Sequence, residues 1–289
     1  MPSFDLHQHL WPGSFAAALG TRGSPPYLMS DGDLVTREGR FPIDLKDHDP
    51  DARLKALDRD RIDVAVLSLQ TSLGIDDLAP GEREDLEETW IQGVLEIVSA
   101  SGGRFRAFAP EVVRDGFAGV TLGASRLHEL ERVAPVLDTA ARRSALVFIH
   151  PEAGGPPAPT RPDWWEWTVG YPAQMSAASL AWLDSGRERW PTLRIVFAML
   201  AGGAPFQLER LAHRGIDVRS SLDPNTFFDV ATYGRRAMEL CIETFGVHSL
   251  VYGSDTPVVD PRRTLDAVRG FGDAVREILQ TDTPSELLT

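Results

Sequence analysis

His7 and His9 stand two residues apart in the segment Phe4-Asp5-Leu6-His7-Gln8-His9. An extended chain alternates its side chains, so both imidazoles, and Asp5 with them, point to one face. His150 closes the run Val147-Phe148-Ile149-His150 just before Pro151, and Asp255 follows Val251-Tyr252-Gly253-Ser254. Three imidazoles and one carboxylate are borderline-to-hard donors that suit Zn2+, with Mn2+ or Fe2+ also compatible. No thiolate competes with them. The expected cofactor is therefore one divalent metal, zinc foremost, held by His7, His9, His150 and Asp255. Asp5 is expected to orient a ligand imidazole rather than to touch the metal. His48, His128, His213 and His248 carry no such pattern and read as ordinary capped or solvent-facing residues.

These four residues need a frame that brings distant strand ends together. Short β-branched or aromatic runs alternate with longer amphipathic stretches along the whole chain. Strands are predicted near Phe4–His9, Ile62–Leu69, Phe105–Ala109, Gly119–Leu122, Leu146–His150, Arg194–Met199, Phe227–Val230 and Leu250–Gly253. Helices are predicted over Asp51–Asp60, Arg83–Ala100, Leu127–Arg143, Ala173–Ser185, Ala204–Arg214, Arg235–Phe245 and Arg262–Leu279, with a short one opening at Thr283-Pro284. In Arg83–Ala100 the apolar residues Leu86, Trp90, Val94, Ile97 and Val98 recur every three or four positions, as a buried helical face requires.

Strand followed by helix, eight times over, predicts an α/β protein of the TIM-barrel class, a (β/α)8 barrel, and all four candidate ligands then fall at its catalytic, C-terminal face. The third strand is the least marked of the eight. A doubly wound open sheet is the alternative, but its phosphate-binding glycine turn is missing. Residues 1–289 read as one barrel domain with two insertions. The stretch near 10–46, rich in Gly and Pro, and the stretch 151–172, which holds Trp164, Trp165 and Trp167, are both too long for ordinary connections and are expected to act as lids. Trp165 is a candidate substrate contact.

Composition narrows the function further. Among 289 residues, 42 acidic and 29 basic side chains leave a net charge of −13, which repels phosphate backbones and anionic lipid. Neither nucleic acid nor membrane is an expected partner; a small molecule is. The longest uncharged apolar stretch, Ile195–Phe206, falls short of the roughly 18 residues that a membrane span needs. The acidic start Met1-Pro2-Ser3-Phe4-Asp5 does not resemble a signal peptide, and the one cysteine, Cys241, suits a reducing compartment, so a cytoplasmic location is expected. Phosphate-binding loops, dinucleotide fingerprints and the GxSxG elbow are all missing.

The chain resembles the amidohydrolase-related (amidohydrolase 2) branch of the metal-dependent hydrolase superfamily, the branch that includes aminocarboxymuconate-semialdehyde decarboxylase. The shared pieces are Asp5-Leu6-His7-Gln8-His9, the segment from Asp49 to Asp63, Phe148-Ile149-His150-Pro151, Gly202-Gly203 with Pro205 and Arg210, and Gly253-Ser254-Asp255-Thr256-Pro257. The resemblance implies that His7, His9, His150 and Asp255 are metal ligands. It also implies that Arg210 binds a substrate carboxylate across a homodimer interface, and it places Arg40 near a second carboxylate-binding arginine, one residue out of register. Binuclear members of the superfamily bridge their metals with a modified lysine on the middle strands. The two lysines here, Lys46 and Lys55, both precede strand two, so a mononuclear site is expected.

One departure from the family pattern bears on the chemistry. Where the family carries a histidine before its Gly-Gly turn, acting as acid and base on the metal-bound water, this chain has Met199. A thioether exchanges no proton at neutral pH, and a positioned acid/base is worth about 10²–10⁴-fold in rate. Met199 reads instead as an apolar wall facing the substrate. Three outcomes follow: the metal alone suffices, Asp255 or Glu152 takes over as proton carrier, or the protein binds a ligand without turning it over. The leading expectation is a metal-dependent hydrolase of a small, carboxylated, cyclic or aromatic molecule. The alternatives are a non-oxidative decarboxylase of an aromatic or unsaturated acid and a catalytically reduced binding protein.

Overall fold

A computed structural model describes residues 1–156, 158, 160–218 and 223–289; Pro157 and Pro159 of the second insertion lie outside the described residues. Eight parallel strands follow one another around a single sheet: β1 Phe4–His9, β2 Val64–Ser68, β3 Phe105–Pro110, β4 Gly119–Gly123, β5 Leu146–His150, β6 Ile195–Phe197, β7 Thr226–Asp229 and β8 Leu250–Val251. The segment after β8 returns to β1. Leu6 N–H donates to the Tyr252 carbonyl at 2.9 Å, Asp255 N–H to His7 at 2.8 Å and His9 N–H to Thr256 at 2.7 Å. These bonds close the sheet into the predicted (β/α)8 barrel. Its interior is filled by inward side chains such as Phe108 and Phe148, both fully buried, rather than by solvent.

Helices packed on the barrel include Pro50–Asp60, Pro80–Ala100, Leu130–Arg143, Tyr171–Ala181, Ala204–Ala212 and Arg235–Phe245. Asp49 caps the first of these, its carboxylate accepting from the N–H groups of Asp51 and Ala52 with Pro50 at the first helical position. Where a single helix is expected over Arg262–Leu279, the structure has two, Arg262–Arg269 and Asp273–Glu277. Gly272, at φ 93°, turns the chain between them. Among the described residues no helix is long and apolar enough to cross a membrane.

The sixth strand ends earlier than its sequence suggests. The hydrophobic run reads as strand through Met199, yet the ladder stops at Phe197 and residues 199–203 all take positive φ. Three of them, Met199, Leu200 and Ala201, are not glycine, and a left-handed conformation costs such residues about 1–2 kcal/mol each. Apolar periodicity does not report this change of hand.

The first insertion has structure of its own, a helix at Gly13–Gly20 and a three-stranded antiparallel sheet, Tyr27–Leu28, Asp33–Thr36 and Gly39–Pro42. It touches the second insertion directly: the Tyr171 hydroxyl donates to Glu38, and the Phe41 and Trp167 rings lie 6.5 Å apart.

Strand spacing makes one testable demand. At the start of β4 a Cβ on Gly119 would lie 2.2 Å from the Leu146 carbonyl oxygen of the neighbouring strand. Gly119→Ala is therefore expected to force β4 from β5 and to destabilise the protein by about 3 kcal/mol. A thermal melt unchanged within a degree would show that the ladder tolerates the methyl group.

Candidate metal centre

β1 is buried along its whole length and delivers His7 and His9 to the mouth of the barrel. A buried polar network behind it fixes the strand. Gln8 donates to the Asp5 carboxylate at 2.7 Å and accepts from Arg53 at 2.9 Å, and Arg53 also donates to the His9 carbonyl at 3.2 Å. Burial pulls the Arg53 guanidinium down to about 10, with Asp5 and Asp47 opposing. Burial pushes Asp5 up to about 6 against the hydrogen bonds from Gln8, Ser254 and His7. Asp5 thus holds main chain in place, accepting from the N–H groups of His7 and Ser254. It does not orient an imidazole, as its strand face suggests; its carboxylate is consumed by its own strand and by the segment after β8.

The carboxylate that orients His7 belongs to Asp229, at the end of β7. Its Oδ2 accepts the His7 Nδ1 proton at 2.7 Å, and its Oδ1 accepts from the N–H groups of Met199 at 3.1 Å and Ala231 at 2.8 Å. His9 Nδ1 lies 3.0 Å from the Ser68 carbonyl, and His150 Nδ1 lies 2.9 Å from the Pro151 carbonyl and 2.8 Å from the Thr71 hydroxyl. An oxygen acceptor at each Nδ1 places the proton there and leaves the Nε2 lone pair free for a metal. The signal for Asp229 is in the sequence, an acid closing the β-branched and aromatic run at strand seven, but nothing in it links that acid to His7.

The structure brings the four expected ligands together. One donor atom from each of His7, His9, His150 and Asp255 lies within 4.8 Å of all the others, and all four residues are buried. His7 Nε2 and His9 Nε2 are 3.1 Å apart, and Asp255 Oδ1 lies 3.4 Å and 3.2 Å from them. Donors each about 2.0–2.2 Å from one ion lie at such separations from one another. The donor set fits a divalent cation, and a metal-binding group is present.

Without a cation, protons must relieve the cluster. Burial drives His7 down, but Asp229 and Asp255 beside it prevail and hold it at about 9. His150 is pushed well down by burial and by the His7 and His9 charges, and His9 is lowered by burial. Burial raises Asp255, yet His7 and His9 outweigh it and keep the carboxyl below its usual range.

The other candidates lie outside this cluster. Glu152, half-buried, accepts from the Ser125 N–H at 2.6 Å and so caps the turn after β4. Arg40 is exposed at the edge of the small sheet, bonded to Asp31 at 2.7 Å and to Asp33, so two acids of its own sheet occupy the guanidinium expected to bind substrate. Arg210 is exposed on the helix after β6, one turn beyond Phe206, itself 69% exposed. Trp165 is half-buried beneath the Arg161 guanidinium, 5.0 Å from its ring. Met199 is buried, and its N–H shares Asp229 with His7.

No family model matches the chain. In sequence it is similar to a 2-amino-3-carboxymuconate-6-semialdehyde decarboxylase of Dictyostelium discoideum, 23% identical over 328 positions that cover 98% of this chain and 90% of the relative. It is also 24% identical to a decarboxylase of Aspergillus niger over 99% of this chain and 87% of that one. In structure it is similar to the IDCase of Metarhizium anisopliae (TM-score 0.80, 19% identity, 99% of this chain and 97% of that one). A second similar structure is a 5-carboxyvanillate decarboxylase of Novosphingobium aromaticivorans complexed with manganese (TM-score 0.75, 15% identity, 99% and 96%). A third is a 2,6-dihydroxybenzoate decarboxylase complexed with 2,6-dihydroxybenzoate (TM-score 0.73, 14% identity, 100% and 98%). The resemblance to the amidohydrolase-related family is borne out.

Asp229→Asn keeps the shape of the side chain but removes the charge that orders His7. It is expected to weaken metal binding about 10–100-fold, read by competition with a chromophoric chelator. Unchanged affinity would mean that His7 needs no carboxylate behind it.

Proposed function

We propose that this protein is a metal-dependent, non-oxidative decarboxylase of a small carboxylated aromatic or unsaturated acid. The observation that carries the reading is the buried His7, His9, His150 and Asp255 cluster in a chain that aligns end to end with two decarboxylases. Hydrolysis, the leading expectation from sequence, has less support, since the relatives named above are decarboxylases rather than hydrolases. A bound divalent ion would polarise an oxygen of the substrate and offset charge that develops there. Manganese, present in the 5-carboxyvanillate decarboxylase complex, is as good a candidate as zinc.

The chain's own residues then have two tasks. As the carboxylate leaves as CO2, its bonding electron pair stays on carbon, and that carbon must receive a proton. Asp255 clusters with the three imidazoles, which supports it as the carboxyl that relays this proton. Met199 exchanges no proton and serves as an apolar wall. Binding the acid needs a cation as well. Arg210 is exposed beside Phe206, so it serves a site only across a contact with a second copy, and a homodimer is part of this proposal.

Protein loaded with Mn2+ or Zn2+ is expected to release CO2 from a panel of hydroxybenzoates and unsaturated acids, to stop with EDTA and to recover when metal is restored. Asp255→Asn should lower kcat by about 10²–10⁴-fold. Cleavage of lactones, amides or esters without CO2 release would return the reading to hydrolysis, and tight binding without turnover would make it a binding protein.

Arg210→Met is expected to raise KM for the acid about tenfold or more while leaving the melting temperature unchanged. An unaltered KM, or a monomer by sedimentation, would remove Arg210 from the site.

A further inference from the structure

The two insertions meet through a set of part-buried hydrogen bonds centred on Glu38. The second hairpin of the small sheet turns between Thr36 and Gly39, where Arg37 and Glu38 stand. Glu38 Oε2 accepts from the Tyr171 hydroxyl at 2.6 Å, and Oε1 accepts from the Gly154 N–H. Arg37 donates to the Ala153 carbonyl and pairs with Asp77. These contacts are not scattered over the surface. Asp77 follows β2, Ala153 and Gly154 follow His150 at the end of β5, and Tyr171 opens the helix whose Pro172 carbonyl lies against Gly202 in the turn after β6. A Cβ on Gly202 would come within 2.0 Å of that carbonyl oxygen.

The Tyr171 hydroxyl sits where these loops converge. Ser72, the neighbour of the Thr71 that meets His150, lies close to it. Burial first, then Glu38 and Asp255, hold the phenol against ionisation, so it lies within the field of the candidate metal cluster.

We propose that Glu38 and Tyr171 are positioning residues of this site: their hydrogen bond latches the two insertions into one cover over the His7, His9, His150 and Asp255 cluster, and the cover unlatches to admit a small substrate. The identity of that substrate rests on the decarboxylase reading; the latch does not. A bond between a carboxylate and a phenol is strong enough to order two loops and weak enough to open during turnover. Closed, the cover keeps bulk water from the carbon that must take its proton from a placed group.

Hydrogen exchange on the full-length protein tests the latch without metal or substrate. Tyr171→Phe removes the donor and is expected to speed amide exchange about tenfold in residues 33–42 and 152–156 while the barrel strands keep their rates. Glu38→Gln keeps one acceptor oxygen where the carboxylate offers two, to the phenol and to the Gly154 N–H, so it should accelerate the same segments as well, and the double variant should exchange at least as fast as Tyr171→Phe. Unchanged exchange in Tyr171→Phe, or equal acceleration in the barrel strands, would overturn the latch. In Mn2+-loaded protein, EDTA should remove the ion about tenfold faster from Tyr171→Phe at equal starting content. Equal removal rates would show that the cover does not lie over the cluster. Loss of CO2-releasing activity with the exchange pattern intact would count against the proposed reaction, not the latch.

Discussion

The Asp229 carboxylate ties a candidate metal ligand to the least favourable backbone in the barrel. Through one oxygen it orders the His7 imidazole, and through the other it holds the N–H groups of Met199 and Ala231. The group is fully buried, so no water replaces a donor that moves away. Its charge is compensated only while β1, the turn after β6 and the end of β7 all stay in place. The three left-handed, non-glycine residues from Met199 to Ala201 persist under that constraint. Strain of this kind begins at Met199, where this chain departs from the pattern of the family it resembles.

A second buried network supports the other face of the same strand. Arg53 and Asp5 are both buried, and Gln8 joins them by donating to one and accepting from the other. Two opposite charges out of water cost more than they return unless every remaining donor and acceptor is met. Here the Arg53 bonds to the His9 and Asp47 carbonyls and the main-chain donors on Asp5 meet much of that need. The consequence is geometric. With main chain held on both sides of His7 and His9, their Nε2 atoms converge at 3.1 Å instead of fluctuating apart.

Met199 changes what such a site can do without dismantling it. A thioether at this position offers no proton carrier, while the four candidate donors stay together. In the proposed reaction the proton chemistry then falls on Asp255, behind the proposed cover of the two insertions. The cluster is built at strand ends, whereas the proposed cover is built from connections, the usual division between elements that hold chemistry and elements that must move.

How much of this was legible in the sequence follows from the range of each interaction. Period-two and period-3.6 patterns are local, so eight strands, most of the helices and the barrel could be read from them, and so could the four candidate ligands, because two share the first strand and the others end or follow a strand. Glycine kinks and changes of backbone hand carry no hydrophobic signature, which is why β6 ends at Phe197 and the helix after Arg262 breaks at Gly270–Gly272. Partner choice between distant polar groups was not legible at all. Asp5 and Asp229 are both strand acids, and only the register of β1 against the segment after β8, with β7 close behind, decides which one faces an imidazole. In the same way Glu38 and Tyr171, 133 residues apart, acquire their meaning only when two loops cross the mouth of one barrel. The sequence determined the ligand types and the frame; the tertiary structure decided which buried charge answers which, because that choice depends on distances that no local pattern encodes.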